Sequence, residues 1–173
     1  MSDTLRTERL TLRRATWDDL DAIHAVLSSP QATRYWSTPA HSGIEKTRLW
    51  LASMIESPAH LSEDFVVEFE GRVIGKTGCW RLPEIGFILH PDYWRRGLAR
   101  EAVGAVIEHI FARHPLDAIT ADVDPRNAAS LGLLGSFGFE KTGYEERTMQ
   151  HGDEWCDSVY LALSRDAWTR RRA

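Results

Sequence analysis

Apolar and polar residues alternate in RLTLRR, and that period of two predicts a first strand over 9–14. Thr16 then stands at an N-cap position with Asp18 and Asp19 in the first turn, which predicts a helix to about Leu27. SSPQATRYWSTPAHS is polar, holds two prolines and reads as a loop. A second helix is predicted over 43–56, where Ile44, Leu49, Leu51, Met54 and Ile55 are apolar. DFVVEFE and RVIGKTGCWRL flank Glu70 and Gly71 as a hairpin, and EIGFIL is the next strand. A long helix follows to about Arg113, because Ala99, Ala102, Val103, Val106, Ile107, Ile110 and Phe111 recur in steps of three and four. AITADVD reads as a strand, and AASLGLLGSF as a short helix between Asn127 as cap and Gly138 as stop. The last two strands lie in EKTGYEERTMQ and SVYLAL, with the turn HGDEW between them. The order β-α-α-β-β-β-α-β-α-β-β predicts a mixed sheet flanked by helices, an α/β (α+β) fold.

Composition narrows the class. The 173 residues suit one domain over 1–173 with a sizeable core; 43% are hydrophobic and 27% charged. A net charge of -4 gives no field that favours nucleic acid. The run RRR at 170–172 reads as a solvated tail. MSDTLRTERLTLRR is charged and lacks an apolar signal segment, and no apolar run approaches the roughly 20 residues of a membrane span. A cytoplasmic location without a membrane partner is expected. Cys79 and Cys156 lack CxxC spacing and read as small packed thiols in a reducing compartment, so neither a metal nor a disulfide is expected. The seven tryptophans, among them Trp17, Trp50 and Trp168, are expected mostly to anchor the core.

GKT at 75–77 imitates the end of a phosphate-binding loop. That motif requires GxxxxGK[ST] before a helix, whereas Gly71 stands one residue too close and GCWRL continues as strand. The chemistry concentrates instead in HPDYWRRGLAREAV, where EIGFIL gives way to the long helix. A helix N-terminus offers unpaired N–H groups and the positive end of its dipole. Gly97 allows close approach, Ala99 stays small, and Arg95, Arg96 and Arg100 add positive charge. This combination suits a diphosphate. An exposed helix start with solvated arginines fits the same residues.

WRRGLA resembles the pyrophosphate-binding motif [QR]xxGx[GA] of the GCN5-related N-acetyltransferases, the GNAT superfamily. Gly97 and Ala99 take its fourth and sixth places, and Trp94 stands where Gln or Arg is usual. NAASLGLLGSFGF resembles the later NxxAxxxYxxxGF segment through Asn127, Ser130, Gly138 and Phe139. TERLTLRRATWDDLDAI, EIGFIL and DSVYLALSRDAW look like the branch that includes the acetyltransferases of ribosomal-protein N-termini, so the resemblance spans nearly the whole chain.

The resemblance implies a mostly antiparallel mixed sheet of about seven strands flanked by four helices. Its fourth and fifth strands, EIGFIL and AITADVD, would splay around the pantetheine arm of acetyl-CoA. Phe87, Ile88 and Leu89 would line that arm, and an N–H near Phe87 or Ile88 would hold the oxyanion. Arg95, Arg96, Gly97, Leu98, Ala99 and Arg100 would take the pyrophosphate, and Asn127 the pantetheine amide, with Ser130 one turn on. The implied reaction is acetyl transfer to a primary amine, on a small molecule or a protein N-terminus, by direct attack in a ternary complex. Glu84 is the expected base, beside apolar Ile85 and Trp80; an exposed turn residue after Pro83 fits it equally. His90 is an alternative base, although a structural or solvent-facing histidine fits it better. Asp122 would hold a cationic amine; a solvent-facing strand position fits it equally. Tyr35 and Trp36, beside Arg34 and His41, would wall the acceptor site; a capping loop packed on the core fits the same residues better. The usual tyrosine seven residues after the asparagine is Leu134, so protonation of the thiolate falls to Ser130, to water or to nothing. The alternative activities are CoA binding without catalysis and transfer of another acyl group. Monomer and homodimer are both compatible, the latter paired through SVYLAL at a sheet edge.

Overall fold

A computed structural model describes residues 4–171. Strands β1 (Thr4–Arg6) and β2 (Leu10–Arg13) form an N-terminal hairpin. A 3-10 turn at Trp17–Asp19 leads into α1 (Leu20–Leu27), followed by α2 (Pro30–Thr33) and α3 (Ile44–Glu56). The middle of the chain is β3 (Glu63–Phe69), β4 (Arg72–Arg81), β5 (Glu84–Leu89), α4 (Leu98–Arg113) and β6 (Ala118–Val123). The end is α5 (Ala128–Phe137), β7 (Glu140–His151), β8 (Glu154–Ser164) and α6 (Arg165–Arg170). The strands make one open sheet in the order β1-β2-β3-β4-β5-β6-β8-β7. Neighbours are antiparallel except β5 and β6, which run parallel.

Alternation along the strands divides the core in two. Ile85 and Leu89 of β5 join Val103, Ile107 and Ile110 of α4 on one side. Ile88 joins Ile23 and Leu27 of α1 and Leu51 and Met54 of α3 on the other. No helix among the described residues is long and apolar enough to cross a membrane.

Several expectations are corrected. The sheet has eight described strands rather than seven, because β1 is too short for a period of two to show. Six α-helices are described rather than four. The polar loop contains α2, capped where Ala32 N–H donates to Ser29 Oγ at 3.2 Å, and Ser164 caps α6 in the same way. SVYLAL belongs to β8, which lies between β6 and β7, so it offers no free edge to a second chain. The tryptophans do not anchor the core: Trp17, Trp80, Trp94 and Trp155 are exposed, and Trp36, Trp50 and Trp168 are half-buried. Indoles here cover rims and pair with cations, as Trp80 does with Arg81 and Trp155 with Arg147. Nor is the arginine run wholly solvated, since Arg171 donates to the carbonyl of Ser136 at 2.6 Å; Arg172 lies outside the described residues. Cys79 and Cys156 are free, buried thiols.

Arg165 closes the far end of α4. Its guanidinium donates to the carbonyls of Phe111 (2.7 Å), His114 (2.5 Å) and Leu116 (2.9 Å). Those are carbonyls left orphaned as the helix ends and the chain turns toward β6. Arg165→Ala is expected to destabilise the fold by about 2–3 kcal/mol, read as a lower denaturant midpoint.

Candidate active site

The parallel pair β5 and β6 meets at a single register position, Glu84 opposite Thr120. Thr120 N–H also donates to the carbonyl of Pro83 at 3.0 Å. Beyond that point the strands part. On its other side β5 stays paired with β4, Phe87 opposite Thr77, Ile88 opposite Lys76 and Leu89 opposite Gly75. The backbone edge of β5 from Phe87 to Leu89 therefore faces a gap toward β6, as an edge strand faces an incoming segment.

At the wide end of the gap the chain enters α4. A 3-10 turn at Pro91–Tyr93 comes first; Arg95 follows with φ 58°, and Gly97, the N-cap of α4, with φ 75°. Two left-handed residues around Arg96 curl the backbone into a concave anion nest. The amides of Arg95, Arg96, Gly97, Leu98, Ala99 and Arg100 donate to no acceptor among the described residues. The first helical bond runs from Glu101 N–H to Gly97 O at 3.1 Å. Arg96 lies over the rings of Phe69 (4.8 Å) and Tyr93 (5.8 Å). Arg100 donates to Ser136 Oγ at 2.9 Å and lies over Phe137. Trp94 is committed to structure, its indole N–H donating to Leu89 O at 2.9 Å. From Gly97 and Arg100 a groove of about 670 Å³ continues along α4, walled by Phe137 and Trp168.

The next helix begins across the gap. Asn127 caps α5, its Oδ1 accepting Ser130 N–H at 3.2 Å. The cap uses only the oxygen, so the side-chain NH₂ keeps its two donors. Ser130 Oγ has no hydrogen bond among the described residues. Leu134, in the place of the usual tyrosine, is 1% exposed in the core beneath α4.

Glu84 shares its sheet face with Gly86 and Ile88, the face covered by α1, α2 and α3. By strand alternation and register, Thr120 and Asp122 of β6 point to that same side. Burial, and then the negative charge of Asp122, raise the Glu84 carboxyl above its ordinary range, although the side chain keeps contact with solvent. The ring of Trp36 lies over Gly86, 3.8 Å from where a Cβ would stand. Under that ring sits a buried ion pair, Lys76 to Asp64 at 2.6 Å, with the ammonium 5.7 Å from the ring centre. Tyr160, opposite Asp122 on β8, donates its hydroxyl to Glu145 at 3.2 Å.

Not every expected residue joins this face. Trp80 is exposed beneath Arg81. His90 sits at the opposite end of β5 from Glu84, where its Nδ1 accepts Asp92 N–H at 3.3 Å. That makes it a cap for the turn. His41 is buried against Thr47 (2.9 Å), with its pKa pushed down by burial first. Tyr35 does stand at the rim, between the guanidiniums of Arg34 (5.1 Å) and Arg126 (5.7 Å).

Arg126 was not singled out by the sequence pattern. It holds buried Asp124 through Nε and Nη2 (2.9 and 2.7 Å), Glu154 through Nη1 (2.6 Å), and stacks on Tyr35. It thereby joins the turn before Asn127, the β7–β8 hairpin and the loop after α2. The available signal was Asp124 two residues before it, the spacing of an Asx turn, and Arg126 N–H does donate to Asp124 Oδ1 at 2.9 Å.

A mostly antiparallel sheet with one parallel, splayed pair opening on an amide nest defines the N-acetyltransferase class. The acetyltransferase (GNAT) domain model matches residues 9–140, and the chain belongs to the GNAT family. An uncharacterized N-acetyltransferase of Bacillus subtilis, YoaA, is 33% identical over 174 residues, covering 92% of this chain and 96% of its own. The ribosomal protein uS5-alanine N-acetyltransferase of Escherichia coli is 32% identical over 95 residues, 55% of this chain and 49% of its own. Among solved structures, the ribosomal L7/L12 α-N-protein acetyltransferase RimL, in complex with coenzyme A, superposes with a TM-score of 0.84 at 17% identity. It covers 95% of this chain and 99% of its own. The chain is an N-acetyltransferase of the GNAT family.

Proposed function

We propose that this chain transfers the acetyl group of acetyl-CoA to a primary amine by direct attack in a ternary complex, without a metal, in the cytoplasm. One observation carries the cofactor reading: six consecutive amides without acceptors among the described residues line a left-handed turn at the mouth of the split between β5 and β6. Bound there, acetyl-CoA supplies an activated thioester. The amides from Arg95 to Arg100, with the three arginines, hold its pyrophosphate. The edge of β5 at Phe87, Ile88 and Leu89 bonds its pantetheine arm, and the free NH₂ of Asn127 meets an amide of that arm. The groove beyond Arg100 receives the nucleotide end.

The chain's own chemistry is light. An N–H near Phe87 or Ile88 meets the oxygen that becomes negative as the amine attacks. Glu84, with a raised pKa, accepts the proton that the ammonium must lose, through water. Asp122 draws the cationic amine to the same face, where Trp36 and Tyr35 wall it. Ser130, whose hydroxyl has no hydrogen-bond partner among the described residues, stands one turn beyond Asn127 as the proton donor to the leaving thiolate. Coenzyme A is an acceptable leaving group near neutral pH, so positioning carries much of the rate. The acceptor is a protein N-terminus, the kind of amine that the L7/L12 α-N-protein acetyltransferase takes by its name, or a small-molecule amine.

The cofactor half is tested by a thermal melt. Acetyl-CoA at about 100 times its dissociation constant adds about 2.7 kcal/mol. A shift with acetyl-CoA and none with ATP or NAD is expected. No shift in folded protein would return the turn at Arg95 to an ordinary helix start.

A further inference from the structure

We infer that Arg9, in the turn between β1 and β2, is a positioning residue for the diphosphate turn. The inference rests on the cofactor reading above and extends it to a residue 87 positions from Arg96. Its guanidinium spans two anchors. Nη1 donates to the carbonyl of Arg96 at 2.9 Å, and Nε donates to Glu101 Oε2 at 2.7 Å. The backbone N–H of Arg9 and the hydroxyl of Thr7 both donate to the other carboxylate oxygen, at 2.8 and 2.5 Å. Glu101 is thus fixed from the β1–β2 turn, and Arg9 is fixed between Glu101 and the nest.

Peptide geometry gives this contact its consequence. In a trans peptide the carbonyl and the following N–H point in opposite directions. Holding the Arg96 carbonyl on Arg9 therefore turns the Gly97 N–H away from Arg9, into the set of unpaired amides. No helical N–H competes for that carbonyl, since the first helical bond ends on Gly97 O. Gly97 has φ 75°, and glycine crosses between left- and right-handed regions with little penalty. Without Arg9 the Arg96–Gly97 peptide is free to rotate and to present an oxygen where a phosphate needs a donor.

Charge acts in the same direction. Glu101 lies in the first turn of α4 and lines the same groove as Gly97 and Arg100. An unpaired carboxylate there repels an anion bound at the nest. The guanidinium of Arg9, 2.7 Å away, offsets it. Arg9 thereby orients one donor and neutralises one repulsive charge, without itself being required to touch the ligand.

The test is Arg9→Met, which keeps the aliphatic stem and removes the fork. Calorimetric titration with acetyl-CoA should show a dissociation constant raised about tenfold, the scale of one lost charge-assisted hydrogen bond. In turnover the loss should fall on KM for acetyl-CoA rather than on kcat. Arg9→Lys keeps the charge without the fork and should lie between. A merely structural Arg9 would lower the melting temperature of the free chain and leave acetyl-CoA affinity as in the wild type, and that result overturns the inference. If Arg9→Met does not fold, Arg9→Lys decides alone: weakened binding supports the role, and wild-type affinity overturns it. Failure of the wild-type chain to bind acetyl-CoA overturns the cofactor reading and this inference together, a pattern distinct from an indifferent variant.

Discussion

Glu84→Gln lowers turnover by about 100-fold or more at neutral pH while leaving the acetyl-CoA thermal shift intact. That magnitude is the ordinary worth of a positioned general base. The substitution keeps size and removes only the basic oxygen. It should not weaken the fold. A carboxyl whose folded pKa is raised holds its proton longer in the native state than in the unfolded one, so stability falls as pH rises through that interval. At neutral pH its ionised form opposes folding, and the neutral amide removes that opposition. The pH profile supplies an internal check. The acidic limb of kcat/KM should lie above the ordinary carboxylate range, because burial and Asp122 both raise Glu84. Asp122→Asn removes one of the two causes and should move that limb to lower pH. Unchanged turnover in Glu84→Gln would remove Glu84 as the base.

Gly78→Ala should be a severely damaging single methyl in the sheet. Gly78 lies on β4 between Asp64 of β3 and Gly86 of β5. A Cβ there would stand 2.2 Å from the carbonyl oxygen of Glu63 and 2.7 Å from Cα of Asp64. Both are backbone atoms of a paired strand and cannot swing aside, unlike the end of a long side chain. Relief requires prising β3 from β4 near the Lys76–Asp64 pair. We expect a loss of about 3 kcal/mol or more. In a domain of this length that lowers the melting temperature by roughly 6–12 °C. A melting temperature unchanged within error would contradict this account of the β3–β4 contact.

Much of this architecture was legible because it rests on local signals. The steps of three and four in α4, the Glu70–Gly71 turn and the Asn127 cap with the Gly138 stop all appear where the residue types place them. The turn proposed to hold the diphosphate was marked by a local signal too: a left-handed N-cap at Gly97 is what a glycine before a helix permits. What escaped depends on tertiary context. β1 and α2 are shorter than any period they could display. The tryptophans obeyed shape and cation partners rather than hydrophobicity alone. Arg126 reads as a solvated charge until the fold brings Asp124, Glu154 and Tyr35 around it. Arg9 reads as the first residue of a strand, and nothing near it in sequence announces the carbonyl of Arg96.

The central claim is transfer of acetyl from acetyl-CoA to an amine by this chain. The direct measurement is thiol release from acetyl-CoA across a panel of short peptides with free N-termini, amino acids and polyamines, with each product weighed by mass spectrometry. The account predicts release of free coenzyme A matched by one acetylated amine, abolished by heat and sharply reduced in Glu84→Gln. Protein that binds acetyl-CoA yet acetylates no member of the panel would contradict it, and would leave a coenzyme A-binding protein in place of an enzyme.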